Sequence, residues 1–184
     1  MNRFIKIIRK RNCNMPKIIE NVREQLLAVA KKQISERGYA NTTIRSVAGE
    51  CGLGVGTVYN YFKSKDMLIA SFMAEDWRAC LDDINASPVS SAEELLQLIY
   101  DALINFSRLH KTLFADADAT KVFFTVFSER HKLLRDQIAQ ILIPICPEEN
   151  APFVSEFVAE ALITWTVAGK DFEDIASQLM KILK

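Results

Sequence analysis

The sequence predicts an all-α protein of about nine helices, and three observations lead to that prediction. Apolar residues recur at intervals of three and four, rather than two, along most of the 184-residue chain, as in amphipathic helices. The helix breakers are few, five prolines and six glycines, and they fall in clusters between the periodic stretches. Serine or threonine precedes several of these stretches, where a helix N-cap is expected.

The N-terminal third of the chain predicts short helices around a glycine turn. The first helix carries its apolar residues on one face and ends at Gly38, which can adopt the left-handed backbone of a helix C-terminus. Two short helices follow at about residues 43–51 and 55–62, with a Gly-Leu-Gly turn between them. Ser64 then caps a long helix.

The remainder of the chain predicts longer amphipathic helices. After a proline-containing break, Ser91 opens a helix with a regular apolar stripe. Two further helices are expected at 116–128 and 130–143. The last two, at 153–168 and 172–183, have the clearest stripes and are separated by a short glycine-containing break.

The charge distribution divides the chain into two parts. Lys plus Arg and Asp plus Glu both number 23, so the formal net charge is zero. Residues 1–65 nevertheless hold 13 basic against 4 acidic residues, and residues 66–184 hold 10 against 19. Such an asymmetry indicates that the first part meets a polyanion while the second does something else.

Several classes of protein are disfavoured by composition and motifs. No apolar run approaches the roughly 18 residues of a membrane span, and the basic N-terminus lacks the apolar core of a signal peptide, so we expect a cytoplasmic protein. Four scattered cysteines and two isolated histidines predict neither a disulfide framework nor a metal site. We find no motif for a cofactor and no catalytic constellation, so we expect no enzyme.

The two short helices and their glycine turn are typical of a helix-turn-helix, which binds double-stranded DNA. Four outward positions of the second helix, Gly56, Thr57, Asn60 and Tyr61, carry no acidic side chain that would repel phosphate. Thr57 and Asn60 can hydrogen-bond base edges or phosphates, and Gly56 exposes backbone.

Residues 38–68 read GYANTTIRSVAGECGLGVGTVYNYFKSKDML. This segment resembles the DNA-binding domain of the TetR (tetracycline-repressor) family of bacterial transcription regulators. The similarity covers roughly residues 17–70 and rests on a Gly-aromatic pair, a Thr-Thr pair, the glycine turn, a Tyr-x-Tyr-Phe run and a lysine. The matching residues are Gly38-Tyr39, Thr42-Thr43, Arg45, Val47-Ala48, Gly52-Leu53, Tyr59, Tyr61-Phe62, Lys65 and Leu68.

The resemblance implies a domain organisation. Residues 15–66 would form the helix-turn-helix DNA-binding domain, and residues 67–184 a helical body for effector binding and dimerisation. Residues 1–14 depart from the family: they are either a basic arm that reaches phosphate or the minor groove, or the product of an upstream start codon, with Met15 as the true beginning.

The resemblance also implies roles for residues of the helix-turn-helix. Tyr61 and Lys65 would meet phosphate, and Tyr59 would contact phosphate or a base, or pack. Either Thr42 or Thr43 would cap the first motif helix, whose start we expect to be weaker because Ser46 replaces the acidic residue of a capping box. The implied DNA-binding residues are Thr42, Thr43, Arg45, Val55, Gly56, Thr57, Tyr59, Asn60, Tyr61 and Lys65.

The family resemblance implies a homodimer whose body receives a small effector. We expect the effector to be mainly apolar because aromatic residues cluster in this half. The candidate pocket residues are Trp77, Tyr100, Phe106, Phe123, Phe124, Phe127 and Trp165. The candidate interface residues, on the last two helices, are Phe153, Phe157, Ala161, Trp165, Phe172, Ile175, Leu179 and Ile182.

The implied function is a repressor that reads a pseudo-palindromic operator and releases it when the effector binds. Two alternatives stay open. One is a DNA-binding regulator that senses redox state through Cys51 or Cys80. The other is a helical scaffold protein without affinity for DNA.

Overall fold

The computed structural model describes the backbone of residues 21–183 and the side chains of these residues apart from 118 and 120–130. The described backbone forms nine α-helices, two short 3₁₀ turns and no β-strand, which confirms the predicted all-α fold. Across this part of the chain, no helix is apolar over the length that a membrane crossing requires. Two sets of predicted residues lie outside the described ones: the N-terminal segment 1–14, and the side chains of Phe123, Phe124 and Phe127.

The N-terminal helices pack into a unit that we call the head. It consists of α1 (Val22–Asn41), α2 (Ile44–Glu50), α3 (Val55–Tyr61) and the first turns of α4 (Lys65–Ala86). Each helix turns apolar residues inward at the spacing that the sequence predicts. The fully buried members of this core include Leu26, Ala30, Val47, Val58, Leu68 and Ile69.

Two glycines set the course of the chain in the head. Gly38 has φ of 79° and breaks α1 one turn before its end, and Gly52 has φ of 67° in the turn between α2 and α3. Both values lie in the left-handed region, which costs glycine little because it has no Cβ. The structure therefore confirms the two backbone reversals that the sequence predicts.

The second unit, the body, contains α5 (Ala92–Leu109), α7 (Ala117–Leu142), α8 (Ala151–Val167) and α9 (Phe172–Leu179). The short α6 (Lys111–Phe114) connects α5 to α7 and packs its Leu113 in the core of the head. Helix α8 packs against α7 and α5, while α9 packs against α5 and α8. The centre of this core is almost entirely aliphatic. Its fully buried members include Leu96, Ile99, Ile138, Leu142, Val158, Leu162, Ile175 and Leu179.

Helix α4 belongs to both units. Its N-terminal half contributes Ile69 and Phe72 to the core of the head, and its C-terminal half contributes Trp77 and Ile84 to the core of the body. The predicted boundary between residues 66 and 67 falls in the first turn of this continuous helix. The head is therefore joined to the body by shared helical packing rather than by a linker.

One predicted helix boundary is wrong. Instead of two helices at 116–128 and 130–143, the chain forms the short α6 and then a single helix, α7, of 26 residues. Residues 128–130 are polar but include neither proline nor glycine, so nothing there forces the backbone out of the helix.

Candidate nucleic-acid interface

The start of α2 is held by a complete capping box. The Thr43 hydroxyl accepts a hydrogen bond from the Ser46 amide at 3.0 Å, and the Ser46 hydroxyl accepts one from the Thr43 amide at 3.0 Å. The expectation that Ser46 leaves this helix poorly capped is therefore wrong, because a serine hydroxyl at this position satisfies the same backbone donor as a carboxylate.

Of the two threonines that compete as cap, Thr43 takes the role and Thr42 is buried. The Thr42 side chain is only 1% exposed, and its hydroxyl donates to the Gly38 carbonyl at 2.9 Å. Thr42 thus closes the turn between α1 and α2 from the inside. Thr43 remains at the surface, where a capping hydroxyl can also face phosphate.

A buried glutamine behind α2 was not predicted from the sequence. The Gln33 amide donates to the Glu50 carboxylate at 2.7 Å and to the Ser46 carbonyl at 3.2 Å, and its oxygen accepts from the Ser46 hydroxyl at 2.7 Å. Gln33 therefore ties α1 to both ends of α2. The available signal was a polar residue three positions after Ala30, on the apolar face of α1.

The start of α4 is fixed by Ser64 and Tyr39. The Ser64 hydroxyl accepts from the Met67 amide at 3.1 Å, as predicted for an N-cap. The Lys65 ammonium donates to the Tyr39 carbonyl at 2.9 Å and lies 3.4 Å from the centre of the Tyr39 ring. Partial burial lowers the pKa of Lys65. Lys65 therefore sits at a helix N-terminus, as predicted, with one of its three donors already used.

Helix α3 divides cleanly into an inner and an outer face. Val58 is buried in the head, and Phe62, directly after the helix, is buried beside it. Val55 and Thr57 are half-buried. The exposed outer positions are Gly56, Tyr59, Asn60 and Tyr61.

Gly56 leaves the outer face of α3 open. A Cβ placed on its backbone would meet no atom within 4 Å, and its φ is not in the left-handed region. Neither the packing nor the backbone conformation of the described chain therefore requires glycine here. A missing side chain at this point gives an approaching molecule access to the helix backbone.

The cations of the head fall into two groups. Those on α1 are paired with carboxylates: Arg23 with Glu75, Lys31 with Asp76, and both Lys32 and Arg37 with Glu50. The remaining cations of the described head, Arg45, Lys63 and Lys65, form no ion pair with any described carboxylate. All three lie in or beside the helix-turn-helix. Within the described head, the cations without an ion pair are thus concentrated in this region.

Lys63 was missed by the sequence analysis. It is exposed in the short connection between α3 and α4, between Phe62 and the N-cap Ser64. The family pattern has no fixed residue type at this position, so only the folded arrangement draws attention to it.

The predicted pocket residues of the body are spread over several contacts. The Trp77 indole donates to Gln137 at 3.0 Å and packs edge-on against Phe106, with 5.6 Å between ring centres. The Tyr100 hydroxyl donates to the Lys170 carbonyl at 3.1 Å, and its ring lies 5.6 Å from that of Phe172. Trp77 and Phe106 are therefore neighbours, while Tyr100 and Phe172 form a separate contact between α5 and α9. Trp165 is half-buried, 5.9 Å from the Lys170 ammonium.

The predicted interface residues separate into buried and exposed sets. Ala161, Ile175 and Leu179 lie in the chain's own core. Phe153 is 76% exposed and Phe157 48%, and Ile182 is exposed beyond the end of α9. Val167, which was not predicted, is 78% exposed on α8. The exposed apolar surface on the last two helices therefore includes only part of the apolar residues that the sequence pattern places there.

The head has the geometry of a helix-turn-helix: two short helices, a left-handed glycine turn and an outer face without carboxylates, bordered by cations that form no ion pair with a described carboxylate. This fold and surface define a helix-turn-helix DNA-binding protein. Residues 26–72 match the family model described as "Bacterial regulatory proteins, tetR family". Over these residues the chain therefore carries a DNA-binding domain of the kind found in TetR-family transcriptional regulators.

Individual relatives agree with this assignment. The chain is 41% identical over 54 residues to the HTH-type transcriptional regulator HbdR of Aromatoleum sp. (strain CIB). This match covers 29% of this chain and 24% of HbdR. It is 25% identical over 170 residues to the HTH-type transcriptional repressor KstR of Rhodococcus jostii (strain RHA1), covering 85% of this chain and 78% of KstR. The match to HbdR thus spans about a quarter of that protein's length.

The fold is also shared with solved structures. A transcriptional regulator of Aquifex aeolicus VF5 superposes with a TM-score of 0.57 at 19% identity, covering 86% of this chain and 95% of that one. The identity is low, so this likeness concerns the arrangement of the helices.

Proposed function

We propose that the chain is a dimeric, effector-responsive repressor that reads a pseudo-palindromic DNA operator. The observation that carries the proposal is the recognition surface, by which we mean Thr43, Arg45, Gly56, Tyr59, Asn60, Tyr61 and Lys63. These residues are exposed in and beside the helix-turn-helix and include no carboxylate. Such a regulator acts on the bacterial chromosome, so we expect it in the cytoplasm.

The recognition surface offers two kinds of contact to DNA. Phosphate suits Lys63 and the tyrosine hydroxyls of this surface, together with the half-buried Lys65 beside it. Such contacts fix the position of the head without reading sequence. Asn60 and Arg45 can make paired hydrogen bonds to base edges in the major groove, Asn60 to adenine and Arg45 to guanine. Sequence reading therefore falls on Asn60 and Arg45, and docking on the surrounding cations and hydroxyls.

A pair of charge-removing variants tests the docking role. Lys63→Gln should weaken binding to all DNA sequences and lower the slope of log K against log salt by about one, because one fewer phosphate is neutralised. The matched control is Lys32→Gln, which removes a head cation that is already paired with Glu50. Equal slopes for Lys63→Gln and the wild-type protein would remove Lys63 from the phosphate contacts.

Lys65 needs a different interpretation because its ammonium also holds Tyr39. Lys65→Ala should lower the salt slope by about one as well, but it should also destabilise the start of α4. An unchanged slope would remove Lys65 from the phosphate contacts whatever happens to stability.

Asn60→Ala tests base reading. Binding sites are first selected from a random pool of duplexes with the wild-type protein. The variant should then discriminate less well at one position of each half-site, by about 1–3 kcal/mol, while its non-specific affinity changes little. A uniform loss over all sequences would contradict base reading by Asn60.

Dimerisation is supported by the exposed apolar residues of α8. Phe153 and Phe157 are one helical turn apart, so they lie on the same face, and both are exposed in the single chain. Two heads joined through this face could place α3 in successive major grooves about 34–36 Å apart. Sedimentation should show a dimer that Phe157→Glu dissociates, whereas Val89→Glu, at an exposed apolar residue away from α8, should leave it intact.

Effector release is supported by the aromatic contact of α4 with α5. Trp77 lies on α4 and packs against Phe106, so a ligand that enters beside these rings would move the helix that also carries the start of the head. A library of apolar compounds can be screened by tryptophan fluorescence and by release of bound DNA. If Trp77→Phe still released DNA with an unchanged ligand response, the pocket would lie elsewhere.

The redox alternative is disfavoured by the environment of the thiols. Burial raises the pKa of Cys51 and of Cys80, so both favour the protonated form, whereas the thiolate is the reactive one. If alkylation of the protein abolished operator binding and Cys51→Ser restored it, redox sensing would replace effector release in this proposal.

A further inference from the structure

Three consecutive residues of α4 tie the head to the body. Glu75 forms an ion pair with Arg23 of α1, and Asp76 forms one with Lys31 of α1 at 2.6 Å. Trp77 hydrogen-bonds Gln137 of α7 at 3.0 Å. Successive residues of a helix point about 100° apart, so this one turn of α4 reaches both neighbouring units.

Asp76 is shared between the two units. Its Oδ1 accepts from Lys31 of the head, and its Oδ2 lies 3.2 Å from Nε2 of His110 in the body. The His110 side chain is 2% exposed and that of Asp76 20%. Among the described residues, neither Oδ2 nor Nε2 has a hydrogen-bond partner of suitable geometry, although the two atoms are within reach of each other. A small rotation of the imidazole would complete or break this bond.

His110 occupies the joint between α5 and α6. It ends α5, which packs in the core of the body, and it precedes α6, whose Leu113 packs in the core of the head. Its ring lies 4.6 Å from that of Phe106 and 5.8 Å from that of Phe72, measured between centres. The imidazole that faces Asp76 therefore lies where the cores of the two units meet.

We propose that Asp76 and His110 are positioning residues for DNA binding, which set the orientation of the head through the shared Asp76 carboxylate. The inference rests on DNA binding by the head. When the head docks, Lys31 and α1 pull on one oxygen of Asp76, and the other oxygen changes its geometry to His110. By reciprocity, any change in the body that moves His110 alters the affinity of the head for DNA.

The charge state of His110 suits this role. Burial lowers the pKa of His110 to about 4, against the attraction of Asp76 from α4, and Lys31 from α1 lowers it further. The imidazole is therefore neutral at neutral pH and carries one N–H. Its tautomer and rotation decide whether it donates to Asp76 Oδ2. The proposal requires two arrangements of this contact, one in which the imidazole donates to Asp76 and one in which it does not.

The chain contains only two histidines, which makes a direct test possible. Imidazole NMR signals of the protein can be assigned with His131→Gln. The probe is a duplex selected from a random pool for binding to the wild-type protein. Adding it should shift the His110 signals and leave those of His131, which pairs with Glu160 between α7 and α8, in place. Binding without a shift at His110, or with equal shifts at both histidines, would overturn the inference.

Matched variants distinguish a positioning role of Asp76 in DNA binding from a purely structural role in the packing of α4. Asp76→Asn should abolish the DNA-induced shift at His110 and weaken DNA binding by about five-fold or more, and Asp76→Glu should restore part of both. Glu75→Gln is the control, because it breaks the neighbouring ion pair between the same two helices without touching His110. If Glu75→Gln and Asp76→Asn had the same effects, Asp76 and His110 would only stabilise the packing of α4, and the proposal would be wrong.

Two further measurements keep the test decisive. Should Asp76→Asn fail to fold, Lys31→Gln takes its place, and without any DNA it should raise the pKa of His110, because a nearby positive charge is removed. An unchanged pKa would overturn the coupling. If the wild-type protein selects no DNA at all, the proposed function fails and this inference with it. If it binds DNA and His110 does not respond, only this inference fails.

Discussion

The head and the body are stabilised in different ways. In the head, polar side chains fix the starts of two helices and the contact between two others: Thr43 and Ser46 cap α2, Ser64 caps α4, and Gln33 joins α1 to α2. In the body, a large aliphatic core holds α5, α7, α8 and α9 together. Directional contacts fix a unique geometry, whereas apolar packing tolerates rearrangement more easily. The difference suits the function proposed above, in which the head reads DNA and the body responds to an effector.

The largest expected effect comes from cavities in the two cores. Leu26→Ala in the head and Leu162→Ala in the body each empty a fully buried site and should lower the free energy of unfolding by about 2–5 kcal/mol. Because α4 belongs to both cores, we expect one shared transition in thermal unfolding for each variant. Separate transitions for head and body would show that α4 does not couple the stability of the two units. Leu133→Ala, at a residue 57% exposed, is the control and should change stability little.

The junction between head and body should be sensitive to acid. The pKa of His110 is about 4 in the folded chain and near 6.5 in an unfolded one, so the unfolded state binds more protons between these values. The contribution of neutral His110 is complete above pH 6.5 and is lost as pH falls toward 4, by up to about 3 kcal/mol. Denaturant unfolding at several pH values measures this. His110→Phe should flatten the curve over that range, and His131→Gln should not.

A smaller effect is expected from the polar contact behind α2. Gln33→Leu and Ser46→Ala should each destabilise the head by about 1–3 kcal/mol, because each leaves a buried or capping partner unsatisfied. Together they should cost less than the sum, since they remove the same hydrogen bond. Additive losses in a double-mutant cycle would show that the two residues act independently and that the head is less directional than proposed.

The smallest expected effect distinguishes stability from recognition within the head. Gly56→Ala and Gly49→Ala both add a methyl group where no atom lies within 4 Å, and each should stabilise its helix by up to about 1 kcal/mol. On DNA the two should differ: Gly56→Ala should weaken binding because it stands on the outer face of α3, and Gly49→Ala should not. Equal binding by both variants would mean that the backbone at Gly56 does not approach DNA.

The sequence could predict features that depend on neighbouring residues, but not those that depend on residues far along the chain. Turns, caps and the inner face of α3 depend on residues close in sequence, so Gly38, Gly52 and Ser64 were found in their predicted roles. Gln33 and His110 depend on partners far along the chain, which a local pattern does not contain. The aromatic residues of the body were predicted as a pocket from composition alone. Their contacts follow from how α5, α7 and α9 meet, which periodicity does not specify.

The single helix α7 has a mechanical consequence. Its Ala119 is buried in the head and its Leu142 in the body, so it spans both units as α4 does. At 1.5 Å per residue, 26 residues form a rod about 39 Å long. A single connecting helix would leave the head free to rotate about the axis of that helix. Two connecting helices, α4 and α7, oppose this rotation. Over a helix of this length, a tilt of about 5° would move the far end by about 3 Å.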